Sequence, residues 1–262
     1  MKNLGIIICV VATLAMASNA NAVQSETLSR VLEVGKKADA PDGISEVRVN
    51  ALRELGRSLG LRAGMIDESK KIVTEIELAK YQFDQNFNFG SLMFSSGALP
   101  PVIEEAQDVI SLTDYSFRTA GKIYRIVAPV NFNGANWRNY LYLGLMTTDD
   151  NLVDESKRSL YPRNGAEEEF WKKVVNDAYA QGKKDARRIF EINAHRLERD
   201  FFGMRLFFDL FERGLVTAPT IATATEAISR PNPNTLIIGE TIFRVTAQPT
   251  FNADDKTWKV KK

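Results

Sequence analysis

Residues 166–213 read AEEEFWKKVVNDAYAQGKKDARRIFEINAHRLERDFFGMRLFFDLFER, and this stretch decides the fold. Glu167, Glu168 and Glu169 stand at its start, where acidic side chains complement the positive end of a helix dipole. Trp171, Val174, Val175, Ala178, Gly182, Ala186, Ile189, Asn193 and Leu197 then recur at helical spacing, and Phe201, Met204, Phe208 and Phe211 continue the pattern. Gly214 suits a C-terminal cap and Pro219 bars continuation. An unbroken helix of this length would exceed about 65 Å at 1.5 Å per residue. The glycines therefore predict a break near Gly182 or Gly203, giving two helices.

Towards the N-terminus, Ile44, Val47, Ala51, Leu52, Leu55 and Leu59 fall on one helical face. Gly56, Gly60 and Gly64 are spaced by four on the same segment. Glycine costs about 0.5–1 kcal/mol in a helix interior, so something must approach closely there. Packing against a neighbouring helix accounts for the spacing more simply than a ligand site does. A further helix is expected over roughly 67–81, with Ile72, Val73, Ile76 and Ala79 inward, and another over 25–37, with Ser25 as N-cap. Ala40-Pro41-Asp42-Gly43 is a turn between helices. The aromatic run from Phe83 through Phe87 and Phe89 to Phe94 has no clear period, which suits a core-sealing loop better than a docking surface. Leu99-Pro100-Pro101-Val102-Ile103-Glu104-Glu105-Ala106 reads as a break followed by a helix start, with Pro101 at the first helical position.

Strands enter later. Lys122-Ile123-Tyr124-Arg125-Ile126-Val127 is rich in β-branched and aromatic residues, and Pro129 closes it. Residues 136–143 are amphipathic and fit helix or strand. In the tail, Pro231-Asn232-Pro233-Asn234 is a turn or linker. Residues 236–238, 241–246 and 257–260 read as strands, with turns at Gly239-Glu240 and 252–256. The fold class is α+β: mostly helical, with a small, mainly antiparallel sheet built from the middle and C-terminal strands. Residues 23–262 are expected to form a single domain, helix-rich to about residue 230 and β-rich over 231–262.

The first 22 residues stand apart. Lys2, the apolar run 4–17 and the small-x-small site Ala20-Asn21-Ala22 occur in the order of a cleavable secretory signal. The apolar run falls short of the ~20 residues a spanning helix needs. Cys9, the only cysteine, lies inside that run after Ile6-Ile7-Ile8, which is no lipoprotein site. The exported chain is expected to carry no disulfide, thiolate metal site or lipid anchor. Removing Lys2 from 34 basic residues leaves 33 against 33 acidic. Such a neutral chain has no long-range attraction for nucleic acid.

The residues supply no obvious chemistry. His195 is the only histidine. No Ser-x-x-Lys motif accompanies it, and it reads as a surface or packing residue. One histidine and no exported cysteine argue against zinc or copper. Asp149, Asp150, Asn151, Asp154 and Glu155 could hold calcium but lack the glycine of an EF-hand, so a solvated turn is the simpler reading. The basic clusters 183–188 and 196–199 are interleaved with acids and read as solvated helix faces. Glu104, Glu105 and Glu167 to Glu169 could serve a peptidoglycan-cleaving enzyme through paired carboxylates, but helix-dipole compensation explains them without function. A periplasmic small-ligand binder is a third class. The expectation is no catalytic residues, no metal and no cofactor. The surplus of aromatics (15 Phe, 7 Tyr, 3 Trp) suits protein interfaces. Trp137, Arg138, Tyr140, Phe201, Phe202 and Phe208 are the candidate partner contacts, though core burial is the simpler expectation for most of the aromatics.

Several segments together resemble the DotC/TraI family of type IVB secretion systems, found in the Dot/Icm apparatus and in the transfer systems of IncI-type plasmids. They are residues 99–106, Asn136-Trp137-Arg138-Asn139-Tyr140-Leu141, Glu168-Glu169-Phe170-Trp171 with Val174 and Gly182, Leu197-Glu198-Arg199-Asp200-Phe201-Phe202-Gly203-Met204, and Val245-Thr246-Ala247-Gln248-Pro249 with Phe251 and Trp258. The resemblance implies a non-enzymatic structural subunit of the outer-membrane and periplasmic core complex. It implies assembly with DotD-like and DotH-like partners in a hetero-oligomeric ring, without direct contact to nucleic acid. Members of the Dot/Icm type are lipoproteins. Without a convincing lipidation site, this chain is expected in the periplasm, reaching the outer membrane through its partners.

Overall fold

The computed structural model describes residues 25–33, 45–113, 116–148, 152–254 and 258, with side chains at 108–113, 116–120 and 155 left aside. The expected signal segment, the turn at 40–43, the end of the first expected helix, residues 149–151, the end of the turn expected at 252–256 and, apart from Trp258, the strand expected at 257–260 lie outside them. The chain is α+β and mostly helical, as expected. Its strands form two separate antiparallel hairpins in place of one sheet. The helices are α1 (Glu26–Glu33), α2 (Glu46–Asn86), α3 (Trp137–Leu141) and α4 (Gly165–Glu212). The strands are β1 (Val102–Thr113), β2 (Ser116–Ala128), β3 (Thr220–Asn232) and β4 (Thr235–Ala247), and short 3-10 turns occupy Phe89–Leu92 and Glu155–Leu160.

The described residues form two compact units. The first takes in residues up to Phe83 and Tyr140–Ala194. Its frame is the pair α2 and α4. A Cβ on Gly56 would meet the Trp171 ring, one on Gly60 the Val175 backbone, and one on Gly64 the Tyr179 carbonyl; one on Gly182 would meet the Leu61 carbonyl. Residue numbers rise together on both helices, so the pair is parallel. The close packing expected at Gly56, Gly60 and Gly64 is what the structure holds.

Two expected breaks are absent. The segments 46–59 and 67–81 belong to one 41-residue helix, and 166–212 to one 48-residue helix. Gly182 and Gly203 are places where backbone meets backbone, and neither interrupts the helix. A helix break would forfeit several hydrogen bonds, whereas a buried glycine costs about 1 kcal/mol, which tight packing offsets.

Around this pair, Leu28, Val31, Leu32, Leu52, Leu59, Ala63, Ile66, Leu152, Tyr161, Trp171 and Val175 form the core of the first unit. The Trp171 indole N–H donates to the Val31 carbonyl at 3.3 Å, tying α1 to α4. Ser25 caps α1 as expected, its Oγ accepting from the Thr27 and Leu28 amides.

The second unit comprises Asp84–Asn139 and the described residues from His195 onward. The segment after Pro100-Pro101 is strand β1, not the expected helix. Pro101 immediately precedes it, a position proline tolerates in sheets as well as helices. Val102 and Ile103 are both buried at its start, and a bulge separates their register on β2. Gly203 of α4 gives the room: a Cβ there would collide with Val102 Cγ1 and approach the Ile103 carbonyl at 2.9 Å. The expected strand 122–127 lies inside β2, which ends just before Pro129. The Phe87 and Phe89 rings each stand T-shaped to the Phe201 ring with centroids 5.2 Å apart, so the irregular aromatic run does seal the core. Residues 136–143 contribute the short helix α3, started by Asn136 Oδ1 accepting from the Arg138 amide.

Towards the C-terminus, β3 begins at Thr220, earlier than the β-rich tail expected from residue 231. Gly239-Glu240 is not a turn. Gly239 sits inside the continuous strand β4 with φ +71. The hairpin turn lies at Pro233-Asn234, as the 231–234 cluster indicated. Gln248 then fastens the following segment: the Val130 amide donates to its side-chain oxygen at 2.9 Å, and its amide donates to the Val130 carbonyl at 3.3 Å.

Candidate functional site

The six candidate contact residues separate by burial. Trp137 is buried, and its indole N–H donates to Asp84 Oδ1 at 2.8 Å. The Arg138 guanidinium lies 4.1 Å from the Trp137 ring centroid and donates to the same carboxylate oxygen at 2.9 Å. Asp84 thus holds an aromatic and a cation together, with Arg138 half-exposed above. Phe201 is buried among Phe87, Phe89 and Phe202. Phe202 and Phe208 are half-buried. Arg205 lies 6.0 Å from the Phe202 ring, and Phe208 packs on Phe94 and Phe207. Tyr140, in the first unit, is half-buried. The structure thus gathers Trp137 with Arg138, and Phe201 with Phe202, and leaves Arg138, Phe202 and Phe208 accessible.

Phe202 also lines a groove of the second unit with Ile103, Glu104, Ile123, Arg125, Arg199 and Leu206 among others. Its lining combines apolar and charged side chains. Arg199 pairs with Asp200 at 2.7 Å and approaches Glu104 at 3.8 Å.

Of the carboxylates considered for glycan cleavage, Glu104, Glu105, Glu167 and Glu168 stand in salt bridges, and Glu169 is exposed. Glu105 meets Lys122 Nζ at 2.8 Å, which holds its carboxyl below the usual range. Glu167 takes both Nε and Nη2 of Arg48, and that contact, with the Arg163 amide, holds its carboxyl low despite burial. Glu168 pairs with Lys172. The exposed His195 lies 3.9 Å from Glu198, whose carboxyl is pushed up by burial. Among the described residues no group of three or more His, Cys, Asp or Glu could hold a metal ion. Of the calcium candidates, Asp154 accepts from the Ser156 amide at 3.0 Å, and 149–151 lie outside the described residues.

Two features escaped the sequence reading. Asp67 and Glu68 are buried in mid-helix. Asp67 accepts from the Ser25, Thr27 and Tyr179 hydroxyls, and Glu68 faces Arg187 and Lys183. Lys184, Arg187 and Arg188 of the basic cluster 183–188 are exposed, as expected of a solvated face, while Arg187 and Lys183 also anchor a buried acid. The second feature is the β3–β4 hairpin, in which no residue is buried. Ile228, Leu236 and Ile238 are 67%, 61% and 73% exposed. The alternation Thr220-Ile221-Ala222-Thr223-Ala224-Thr225 was the available signal for β3.

No curated protein matches the chain. A family model described as type IV secretory system, conjugal DNA-protein transfer matches residues 46–260 of the 262. That span takes in α2, α4 and both hairpins, and the chain belongs to this type IV secretory, conjugal transfer family.

Proposed function

We propose that this protein is a structural subunit of the core complex of a type IVB secretion or conjugative transfer system, of the DotC-like kind, acting through protein–protein contacts. The observation that carries the reading is the family match across residues 46–260. It agrees in kind with the motif resemblance of residues 99–106, 136–141, 197–204 and 245–251. The accessible Arg138, Phe202 and Phe208, and a hairpin with apolar side chains in water, suit a chain whose surfaces are completed by neighbours. On this reading the subunit is exported to the periplasm. It associates with DotD-like and DotH-like proteins in a ring, and it reaches the outer membrane through them.

The test is a crosslinking pull-down of the tagged full chain from cells carrying the complete transfer system. Recovery of the other envelope subunits in a large symmetric particle is the expected result. A tagged protein that elutes alone as a monomer overturns the proposal. So does a zone of clearing on peptidoglycan gels that disappears in Glu104→Gln or Glu167→Gln.

A further inference from the structure

The β3–β4 hairpin carries a self-complementary sequence on both of its strands. β3 contains Glu226-Ala227-Ile228-Ser229-Arg230, and β4 contains Glu240-Thr241-Ile242-Phe243-Arg244. Both have the form Glu-x-Ile-x-Arg. Laid antiparallel in register, two such segments oppose each Glu to an Arg and Ile to Ile. Opposed pairs share a sheet face with Cβ atoms about 5 Å apart, and opposite charges there stabilise while like charges destabilise.

The hairpin does not use this complementarity internally. Its own register sets Glu226 opposite Glu240, Arg244 opposite Ala222, and Ile228 opposite Ile238. A like-charged pair therefore faces itself across the two strands, relieved on one side by Ser229, whose hydroxyl donates to Glu240 at 2.9 Å. The sheet has only these two strands, so the outer edge of each is open among the described residues. A two-stranded hairpin without a covered face is marginal in water. Open edges are the places where another strand adds.

We infer that the hairpin joins to the hairpin of a second copy of this chain, β4 of one against β3 of the next. The register sets Glu240 opposite Arg230, Ile242 opposite Ile228 and Arg244 opposite Glu226. This register is four residues away from the one that holds internally from Ile221 to Ser229, an even shift that keeps Glu226 and Ile228 on the same face; the internal register shifts between Ser229 and Asn232, so Arg230 has no such fixed cross-strand partner within the hairpin. Each Glu of the internal repulsive pair then gains an Arg from a neighbour. The contact is head-to-tail: it uses β4 of one copy and β3 of the next, so it repeats from copy to copy as a continuous antiparallel sheet. Pairing β3 with β3, or β4 with β4, would also match the charges, but it would stop at two copies with one open edge on each. This inference rests on the hairpin alone and does not depend on the proposed place of the protein in a transfer system.

The test is disulfide trapping in the full chain. Within one hairpin, positions 228 and 242 are four residues out of register. That is roughly 13 Å at 3.3 Å per residue, beyond the ~7 Å Cα limit for a disulfide. The double variant Ile228→Cys/Ile242→Cys should give a ladder of disulfide-linked multimers of this chain on non-reducing gels. The two single variants should give none. Glu226→Arg should abolish the ladder by setting Arg against Arg244 of the neighbour, while leaving the internal Glu240 better paired. Adding Arg244→Glu should restore it. A double-cysteine chain that stays monomeric overturns the inference. So do dimers from either single variant, crosslinks to a protein of another mass, and failure of the charge reversal to restore the ladder.

Discussion

The carbonyl oxygen of Tyr179 occupies the space that a Cβ on Gly64 would need. The same Tyr179 donates its hydroxyl to Asp67 at 2.8 Å, less than one turn further along α2. One residue of α4 thus fixes both the separation of the long helices, through its backbone, and their alignment, through its side chain. Asp67 in turn accepts from Ser25 and Thr27, so the short helix α1 is bound to the same point.

Replacing Gly64 or Gly182 with alanine should separate the helices. The added carbon would meet backbone on both sides of the crossing, closer than the 3.0 Å that real Cβ contacts keep. Backbone cannot move aside as a side-chain end can. Each substitution should cost about 1–3 kcal/mol, the usual range for overpacking, read as a lower urea midpoint. Gly134→Ala, where a Cβ would meet nothing within 4 Å, should stay within about 0.5 kcal/mol of the parent. Equal effects at all three positions would remove the crossing as the explanation.

Glu167 should make the fold sensitive to acid. The Arg48 guanidinium holds its carboxyl below the ordinary value of 4.5. The native state therefore binds fewer protons than the unfolded chain as pH falls past that value. The contribution is whole above about pH 4.5 and is lost as pH drops through the lower native value. Glu167→Gln should cost about 1–3 kcal/mol at neutral pH, the range for hydrogen bonds to charged groups. The gap between the urea midpoints of parent and variant should narrow by about pH 3.5. A gap independent of pH would show that the charge on Glu167 contributes nothing.

Tyr179 should act at the opposite end of the pH scale. Burial, and then the Asp67 carboxylate, push its hydroxyl up to about 12 from 10.0. The unfolded chain releases this proton first, so the native state binds more protons between those values. Its stabilisation is present below pH 10 and declines as pH rises towards 12. Solvent around the half-exposed ring screens the effect, so the decline is smaller than the shift alone would give. In a tyrosinate absorbance titration, one residue should ionise late in the parent, and this late step should be missing in Tyr179→Phe. If the step persists in the variant, the assignment to Tyr179 is wrong.

Much of the helical scaffold was legible because its signal is local. Apolar residues three and four apart, acids at the start and Gly214 after the end delimit α4 to within a residue or two. The spacing of Gly56, Gly60 and Gly64 announced a close neighbour, and α4 is that neighbour. Strand β2 was visible from its own composition. Strand β1 was not: Pro101 and two glutamates mark a helix start as well as a strand start. What decides between them is the pairing of Ile103 with Ile126 on a strand not yet formed. Gly182 and Gly203 misled for a related reason. A glycine that breaks a helix and one that admits another backbone look identical in sequence. Among the candidate contacts, the residue type was readable but the exposure was not. Trp137 is taken up by Asp84 and Phe201 by Phe87 and Phe89, all of them partners distant in the chain.

By itself, the order of residues determined that the stretches 46–59, 67–81 and 166–212 are helical, where the chain turns at 231–234, and that the aromatic run near Phe87 belongs inside. Those outcomes follow from periodicity and backbone preference, which act over a few neighbouring residues. Tertiary structure alone decided that both long helices stay unbroken and that Asp67 and Glu68 are buried. It also decided that the segment after Pro101 is a strand and that the β3–β4 hairpin stays uncovered. Each of these depends on contacts between residues far apart in the chain, whose free energy outweighs the local preference of about 1 kcal/mol at a glycine or a proline-flanked turn.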